Sequence, residues 1–214
     1  MLKVITPQMK EFLRPKENEE AVDQPIYHIQ SYGTSGATSF TFFNTAVGSA
    51  TNGLSDTNMD AAAVLSAGKR FAVFGIGIAL FGSAPMVFNA ASTASALNDI
   101  KGVLEGIGNA TFKVLDKAYY QVAPLAFLPA GFGTFVGGSA YQRTQASAAD
   151  GNGFIAYGNN GLPIPMAMRK LRVPIPIPQQ VRFEFTLTFP TAITVSTASR
   201  IGVFLDGLLI RARQ

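Results

Sequence analysis

Residues 181–189 alternate without interruption between large apolar and polar side chains. Successive side chains of a β-strand point to opposite faces, so this pattern predicts an antiparallel strand with one buried and one exposed face. The face predicted to be buried carries Val181, Phe183, Phe185, Leu187 and Phe189. Burial of each such side chain contributes about 1.5–3 kcal/mol, so we expect this strand to anchor the core.

Strand character also marks segments nearer the N-terminus. Residues 70–81 are apolar on both faces, which predicts a strand that is covered on both sides, with its glycines marking a bulge or a close backbone approach. Residues 26–32 and 38–44 are rich in aromatic and β-branched side chains, and they flank a turn signal at residues 33–36. Two such runs around a glycine-containing turn predict a hairpin.

The C-terminal segments are interrupted by proline and glycine. Prolines alternate through residues 173–178, and because proline has no N–H to donate, we expect an edge strand or polyproline-like backbone there. Residues 200–213 form two strand-like runs around Asp206-Gly207. Asp-Gly between such runs predicts a hairpin, and a single long strand bulged at Gly207 is the alternative.

The remaining segments complete a mainly β pattern. Residues 110–116 and 119–122 are predicted strands, residues 92–107 have the apolar spacing of a helix, and residues 139–162 are a polar stretch predicted to be a long exposed loop. There is no regular alternation of strand and helix, which disfavours a parallel α/β fold.

About eight strands with long connections indicate an antiparallel β-sandwich of jelly-roll type with one short helix insertion. Residues 25–214 are interpreted as a single domain of this kind. Residues 1–24 mix charges and contain two prolines, so they are interpreted as an N-terminal arm with at most a short helix.

The composition of the chain indicates whether partners cover part of its surface. Charged residues make up 14% of the chain, against about 25% in a typical soluble domain. Together with 17 phenylalanines, this low charge predicts that part of the surface is covered by a partner. An ordinary apolar-rich monomer is the alternative.

The net positive charge is concentrated near the C-terminus. Residues 169–214 hold seven basic and two acidic residues. Such a segment faces nucleic acid or anionic lipid, or it pairs with acidic neighbours in an assembly.

The sequence offers few residues that could act in catalysis or bind a metal. The one histidine, His28, lies in the middle of a predicted strand and is interpreted as structural, and the chain has no cysteine. Asp150-Gly-Asn-Gly153 resembles the start of a calcium loop but lacks the closing glutamate. Asp56 and Asp60 are interpreted as residues of a solvated loop, with a shared cation as the alternative. We therefore predict no enzyme activity, no cofactor, no metal and no small-molecule substrate.

Several segments together resemble a known family of proteins. These segments are residues 32–44 (YGTSGATSFTFFN), 128–131 (LPAG), 173–178 (VPIPIP), 183–190 (FEFTLTFP) and 203–211 (VFLDGLLIR). In this succession the chain resembles the coat proteins of tailless icosahedral bacteriophages.

The resemblance implies a jelly-roll capsid subunit that assembles with copies of itself and with other virion proteins into an icosahedral shell, with or without an internal membrane. It also implies a location in the virion after synthesis in the host cytoplasm. Within such a shell we expect an inward-facing basic surface toward nucleic acid or internal lipid, formed by Arg182, Arg200, Arg211 and Arg213. Pairing of these arginines with acidic residues across subunit contacts is the alternative.

A second hypothesis is a β-sandwich binding module for carbohydrate or for host-receptor attachment. Tyrosines near predicted loops would then serve as stacking platforms: Tyr119, Tyr120, Tyr141 and Tyr157. A third hypothesis, an enzyme on a β-sandwich, needs clustered ionisable residues in a pocket, and the sequence predicts no such cluster.

Overall fold

The computed structural model describes residues 5–49, 52–82, 99, 102–104, 108–122, 124–128, 136–141, 153–158 and 168–213. A short helix comes first, followed by strands and one turn of 3-10 helix. In chain order these are α1 Pro7–Leu13, β1 Glu19–Asp23, β2 Ile26–Tyr32, β3 Ser39–Phe42, β4 Arg70–Gly82, β5 Asn109–Val114, β6 Lys117–Val122, the 3-10 turn Leu125–Phe127, β7 Val136–Tyr141, β8 Gly153–Gly158, β9 Arg169–Ile177, β10 Phe183–Thr188 and β11 Ser199–Ala212.

The strands form two antiparallel sheets that pack into a sandwich, so the predicted mainly β fold class is confirmed. The first sheet, here the β11 sheet, has the order β1-β11-β4-β9, and β2 also pairs with β11. The second, here the β10 sheet, has the order β3-β10-β5-β6. Strands β7 and β8 pair only with each other among the described residues.

Four of the strand pairs are nested along the chain. The innermost pair is β5 with β6, and outside it come β4 with β9, β3 with β10 and β2 with β11. Successive pairs alternate between the two sheets. The chain therefore follows the path of one long antiparallel ribbon, closed at the β5–β6 turn and rolled so that its strand pairs fall alternately into the two sheets.

Strand β10 anchors the core as its alternating pattern predicts. Phe183, Phe185 and Leu187 are fully buried, and the residues between them are half-buried. The Phe185 ring lies 6.2 Å from the Phe112 ring and 6.4 Å from the Phe42 ring, centroid to centroid. These rings come from the two strands that flank β10, so its buried face holds the centre of the β10 sheet together.

The predicted hairpin of residues 26–32 and 38–44 is wrong. Strand β2 belongs to the β11 sheet and β3 to the β10 sheet, so the glycine-containing turn carries the chain from one sheet to the other. Gly36 has φ +65°, and a Cβ there would come within 2.8 Å of the Ile193 carbonyl carbon. The Tyr32 hydroxyl donates to the Ile193 carbonyl at 2.7 Å, which fixes this crossing against the loop before β11.

The predicted hairpin at Asp206-Gly207 is also wrong, and the alternative of one bulged strand is confirmed. Strand β4 pairs with β11 along nearly its whole length, and the register shifts between Asp206 and Gly207. At Gly207 a Cβ would meet the Ala72 carbonyl oxygen and lie within 2.7 Å of the Phe71 ring. The long ladder with β4 therefore favours one bulged strand over a hairpin at Asp206-Gly207.

The other strand predictions hold. Residues 71–80 of β4 are buried on both faces, apart from the half-buried Phe74, and the register of β4 against β9 shifts between Val73 and Gly75. The proline-containing β9 is the outer strand of its sheet, as expected from its missing N–H donors.

Part of the predicted N-terminal arm belongs to the sandwich. Strand β1 pairs with residues 208–212 of β11, and β2 pairs with residues 199–205 along the same edge. Strands β1 and β2 thus act as one interrupted edge strand. Helix α1 is capped by the Thr6 side chain, which accepts from the Met9 N–H at 3.3 Å.

Two further predictions touch segments that are described in part. The predicted loop at residues 139–162 is wrong at residues 139–141 and 153–158, because these belong to β7 and β8, which pair antiparallel. Residues 142–152 and 159–162 lie outside the described part. Residues 99 and 102–104 of the predicted helix 92–107 are helical, and its other residues lie outside the described part.

The phenylalanine content has a mainly internal explanation. Eight described phenylalanine side chains are buried, three are half-buried and Phe127 is 61% exposed. The phenylalanine count therefore does not by itself argue for a covering partner.

Within the described ranges, no helix combines the length and the apolar character needed to cross a membrane.

Candidate functional site

The outer strands β6 and β9 of the two sheets lie side by side on one flank of the sandwich. Strand β9 bulges there, because residues 171–174 stand opposite the single residue between Val73 and Gly75 of β4. Pro174 has no N–H with which to continue the ladder. The bulge turns Arg172 and Val173 outward, and Val173 is 52% exposed.

A cleft of about 290 Å³ lies between these strands. We call it the basic cleft. Its polar lining comes from the two tyrosines of β6 and from three cations of β9: Tyr119, Tyr120, Arg169, Lys170 and Arg172. Among the described lining residues none is acidic. The arrangement therefore concentrates positive charge beside two aromatic rings.

Contacts within the basic cleft fix some of its groups and leave others available. The Arg169 guanidinium donates a hydrogen bond to the Tyr120 hydroxyl. Burial raises the pKa of Tyr120 and the charge of Arg169 opposes that rise. Lys170 Nζ lies 3.0 Å from Asp206 Oδ2. The Arg172 side chain has no hydrogen-bond or ion-pair partner among the residues described.

Tyr119 is the exposed ring of the cleft, with 39% of its surface accessible. Lys117 Nζ lies 4.7 Å from its ring centroid, a cation–π distance. The accessible part of the ring can receive a planar ligand. Chemically, the cleft can bind an anionic group at its cations and a flat apolar group at Tyr119.

The four arginines predicted to form one basic surface are dispersed. Arg200 and Arg211 lie at opposite ends of β11, Arg182 immediately precedes β10, and Arg213 follows β11. Arg200 pairs with Asp56, Arg211 Nε lies 2.8 Å from Glu20 Oε1, and Arg182 Nη2 lies 3.1 Å from Glu184 Oε2. The Arg213 side chain has no such partner in the described ranges. Their orientation in an assembly stays a prediction.

The sequence predicted only part of the basic cleft. Tyr119 and Tyr120 were predicted as stacking platforms, and Arg169, Lys170 and Arg172 were counted in the basic C-terminal quarter. Nothing local predicts that the two groups meet, because some fifty residues separate them along the chain. The signal that would have joined them is the nested pairing of strands, which places β6 and β9 at neighbouring edges.

His28 has the surroundings of a structural residue. Its side chain is 3% exposed, its Nδ1 accepts from the Phe43 N–H at 2.6 Å, and its Nε2 lies 3.0 Å from Thr45 Oγ1. Burial lowers the pKa of His28, and the charge of Asp56 opposes that shift. Both ring nitrogens are thus used in joining β2 to the segment after β3, with the imidazole in its neutral form.

A second cleft, of about 370 Å³, borders His28 and contains the Arg200–Asp56 pair. The two carboxylates considered as sharing a cation are each taken by a cation of the chain, Asp56 by Arg200 and Asp60 by Lys69. No group of three or more metal-ligating side chains occurs among the described residues. Residues 150–152, and the side chains of Tyr141 and Tyr157, lie outside the described part.

No protein-family model, no curated protein and no solved structure matches the chain.

Proposed function

We propose that this chain is a structural subunit that assembles with copies of itself, and with other virion proteins, into a closed shell. The shell is of the kind built by the coat proteins of tailless icosahedral bacteriophages, with or without an internal membrane. In this proposal the sandwich is a jelly roll, the protein resides in the virion after synthesis in the host cytoplasm, and it carries out no catalysis.

The nested strand pairing is the observation on which this proposal rests. A jelly roll has eight strands in two sheets, arranged as two Greek keys. Leaving aside β1, β7 and β8, eight strands remain here, and they pair first with last, second with seventh, third with sixth and fourth with fifth. Viral capsid domains, lectins and cupins are the proteins in which this architecture recurs.

The interior favours a structural role within that group. A sandwich that encloses a ligand needs an open space between its sheets, whereas here aromatic rings from both sheets occupy the interior. Tyr32 of the β11 sheet stacks on Phe40 of the β10 sheet with centroids 5.0 Å apart, and Phe40 in turn meets Phe189 edge-on at 6.3 Å. Ring contacts of this kind stabilise the packing between the sheets where these described residues meet.

Because a fold alone does not determine function, the surface supplies a second argument. Among the described residues, three large apolar side chains are more than 60% exposed, and they come from separate segments of the chain: Leu54, Leu115 and Phe127. Leu115 is in the β5–β6 turn, Phe127 follows β6, and the Leu54 carbonyl accepts from Tyr27 beside β2. A subunit of a closed shell has neighbours on several sides, which this distribution fits.

Light scattering on the purified full chain tests the proposal. The wild type is expected to form a species many times heavier than 22.7 kDa. Replacement of an exposed apolar contact by a charge, as in Leu115→Asp or Phe127→Asp, should reduce its yield without unfolding the subunit. Thr188→Asp is the matched control, because it adds the same charge at an exposed polar position. A monomer at every concentration, in the wild type, would contradict the proposal.

A further inference from the structure

We propose that the basic cleft binds single-stranded nucleic acid, with phosphates at Arg172 and Arg169 and a base on Tyr119. The three apolar side chains assigned to subunit contacts lie outside the cleft lining. The inference therefore goes beyond assembly and does not depend on it.

Arg172 is the strongest single indication of an anionic ligand. The other two cations of the cleft already have partners, Arg169 at the Tyr120 hydroxyl and Lys170 at Asp206. Arg172 is exposed on the β9 bulge and has none among the described residues. A guanidinium presents its donors as a planar fork that suits a phosphate. The bulge thus presents, at the cleft, a guanidinium that has no partner among the described residues and can bind a phosphate.

Cations outnumber carboxylates in the described lining of the cleft. Arg169, Lys170 and Arg172 line it, no acidic residue is among the described lining residues, and Lys170 pairs with Asp206. Apposed cations attract a polyanion through release of its condensed counterions. A polymer with regularly spaced phosphates satisfies several of these cations at once, which a single small anion does not.

Tyr119 identifies the polymer as a single strand. Proteins that bind single-stranded nucleic acid combine a positively charged groove with aromatic side chains on which bases stack. The base must be unpaired to stack on a protein ring, so a duplex would present only its phosphates to this cleft. The Lys117 ammonium on the Tyr119 ring strengthens this pairing of charge and aromatic surface.

The same residues are poorly suited to an anionic membrane. Binding to a lipid surface uses apolar side chains that project beyond the charges and enter the headgroup layer. Among the described residues that line the cleft, the exposed apolar or aromatic side chains are Val173 and Tyr119, and one valine and one tyrosine offer little apolar surface to enter that layer. A flat lipid surface would reach the rim cations and leave the cleft itself empty.

Fluorescence anisotropy with a labelled oligothymidylate tests the inference on the full chain. Arg172→Ala should weaken binding several-fold and lower the salt dependence by about 0.7 in the slope of log K against log salt, the value for one lost single-strand phosphate contact. Tyr119→Ala should weaken binding about tenfold, and Tyr119→Phe should retain affinity because the ring remains. Arg14→Ala is the control, since Arg14 is exposed and lies outside the cleft lining.

Three outcomes would overturn the inference. These are equal losses in Arg172→Ala and Arg14→Ala, equal affinity for a duplex of the same length, or binding to phosphatidylglycerol vesicles with none to the oligonucleotide. Light scattering on the same samples separates this inference from the proposed function. Oligonucleotide binding by a chain that never assembles supports the cleft and contradicts the shell, and assembly without binding does the reverse.

Discussion

Arg70 joins the N-terminal segment to the sandwich, and its removal should release that segment. Its guanidinium makes a bidentate pair with Glu19, with Nη1–Oε1 2.7 Å and Nη2–Oε2 2.8 Å. It also donates to the carbonyl oxygens of Phe12 at 2.9 Å and Arg14 at 3.0 Å. One side chain at the start of β4 thus holds both helix α1 and strand β1.

The expected cost of Arg70→Ala follows from this geometry. Each side chain of the Arg70–Glu19 pair is only 17% exposed. Removing one partner of a largely buried, hydrogen-bonded ion pair costs about 3–5 kcal/mol, and the remaining exposure places this pair at the lower end. We therefore expect Arg70→Ala to lower the free energy of unfolding by about 3 kcal/mol. The double variant Glu19→Gln with Arg70→Ala should lower it by less than the sum of the two single changes.

The same pair predicts a pH dependence. Arg70 lowers the pKa of Glu19 from 4.5 to about 2. An acid whose pKa is lower in the folded state than in the unfolded state contributes stability above its unfolded pKa. That contribution is lost as the pH falls from about 4.5 to about 2. In Arg70→Ala this part of the acid sensitivity should shrink, because of the groups that lower this pKa only the Lys16 backbone and charge remain.

Urea denaturation and limited trypsin digestion measure the effect. Lys10 and Lys16 are trypsin sites within the segment that Arg70 holds, so Arg70→Ala should be cut there much faster than the wild type. Arg182→Ala is the control, because the Arg182 side chain is 70% exposed and its pair with Glu184 should contribute about 0–1 kcal/mol. Unchanged cleavage and unchanged stability in Arg70→Ala would refute the reasoning.

Three further predictions concern the core and the bulge. Because burial lowers the pKa of His28 below 6.5, the free energy of unfolding should fall as the pH drops below that value; urea denaturation at several pH values should show a shallower fall in His28→Asn. Gly207→Ala should lower the free energy of unfolding by about 1–3 kcal/mol through overpacking. Gly33→Ala, with nothing within 4 Å of the added Cβ, should lower it much less, as measured by thermal denaturation. Phe185→Ala should cost about 3–5 kcal/mol, and a loss below 1 kcal/mol by urea denaturation would contradict its central place in the core.

Local patterns predicted the strands well where burial determines the side-chain pattern. In residues 181–189 the period of two can be satisfied only by an extended chain with one face inside, and β10 has that form. The prolines of β9 forced it to a sheet edge for an equally local reason, the missing N–H donors.

Connections between strands were not predictable in the same way. The turn at residues 33–36 and the Asp206-Gly207 dipeptide both have the local chemistry of hairpins, yet one changes sheets and the other is a bulge. Non-local partners decided each case, since β10, β11 and β4 offered longer ladders than the local hairpins. The basic cleft depends on the same non-local pairing, so its tyrosines and arginines could be named from the sequence without being brought together.

Negative-stain electron microscopy of the concentrated full chain tests shell assembly directly. Closed particles of uniform diameter built from this subunit are expected, and Leu115→Asp should disperse them. A field of separate molecules at every concentration, with a mass of 22.7 kDa by light scattering, would contradict it.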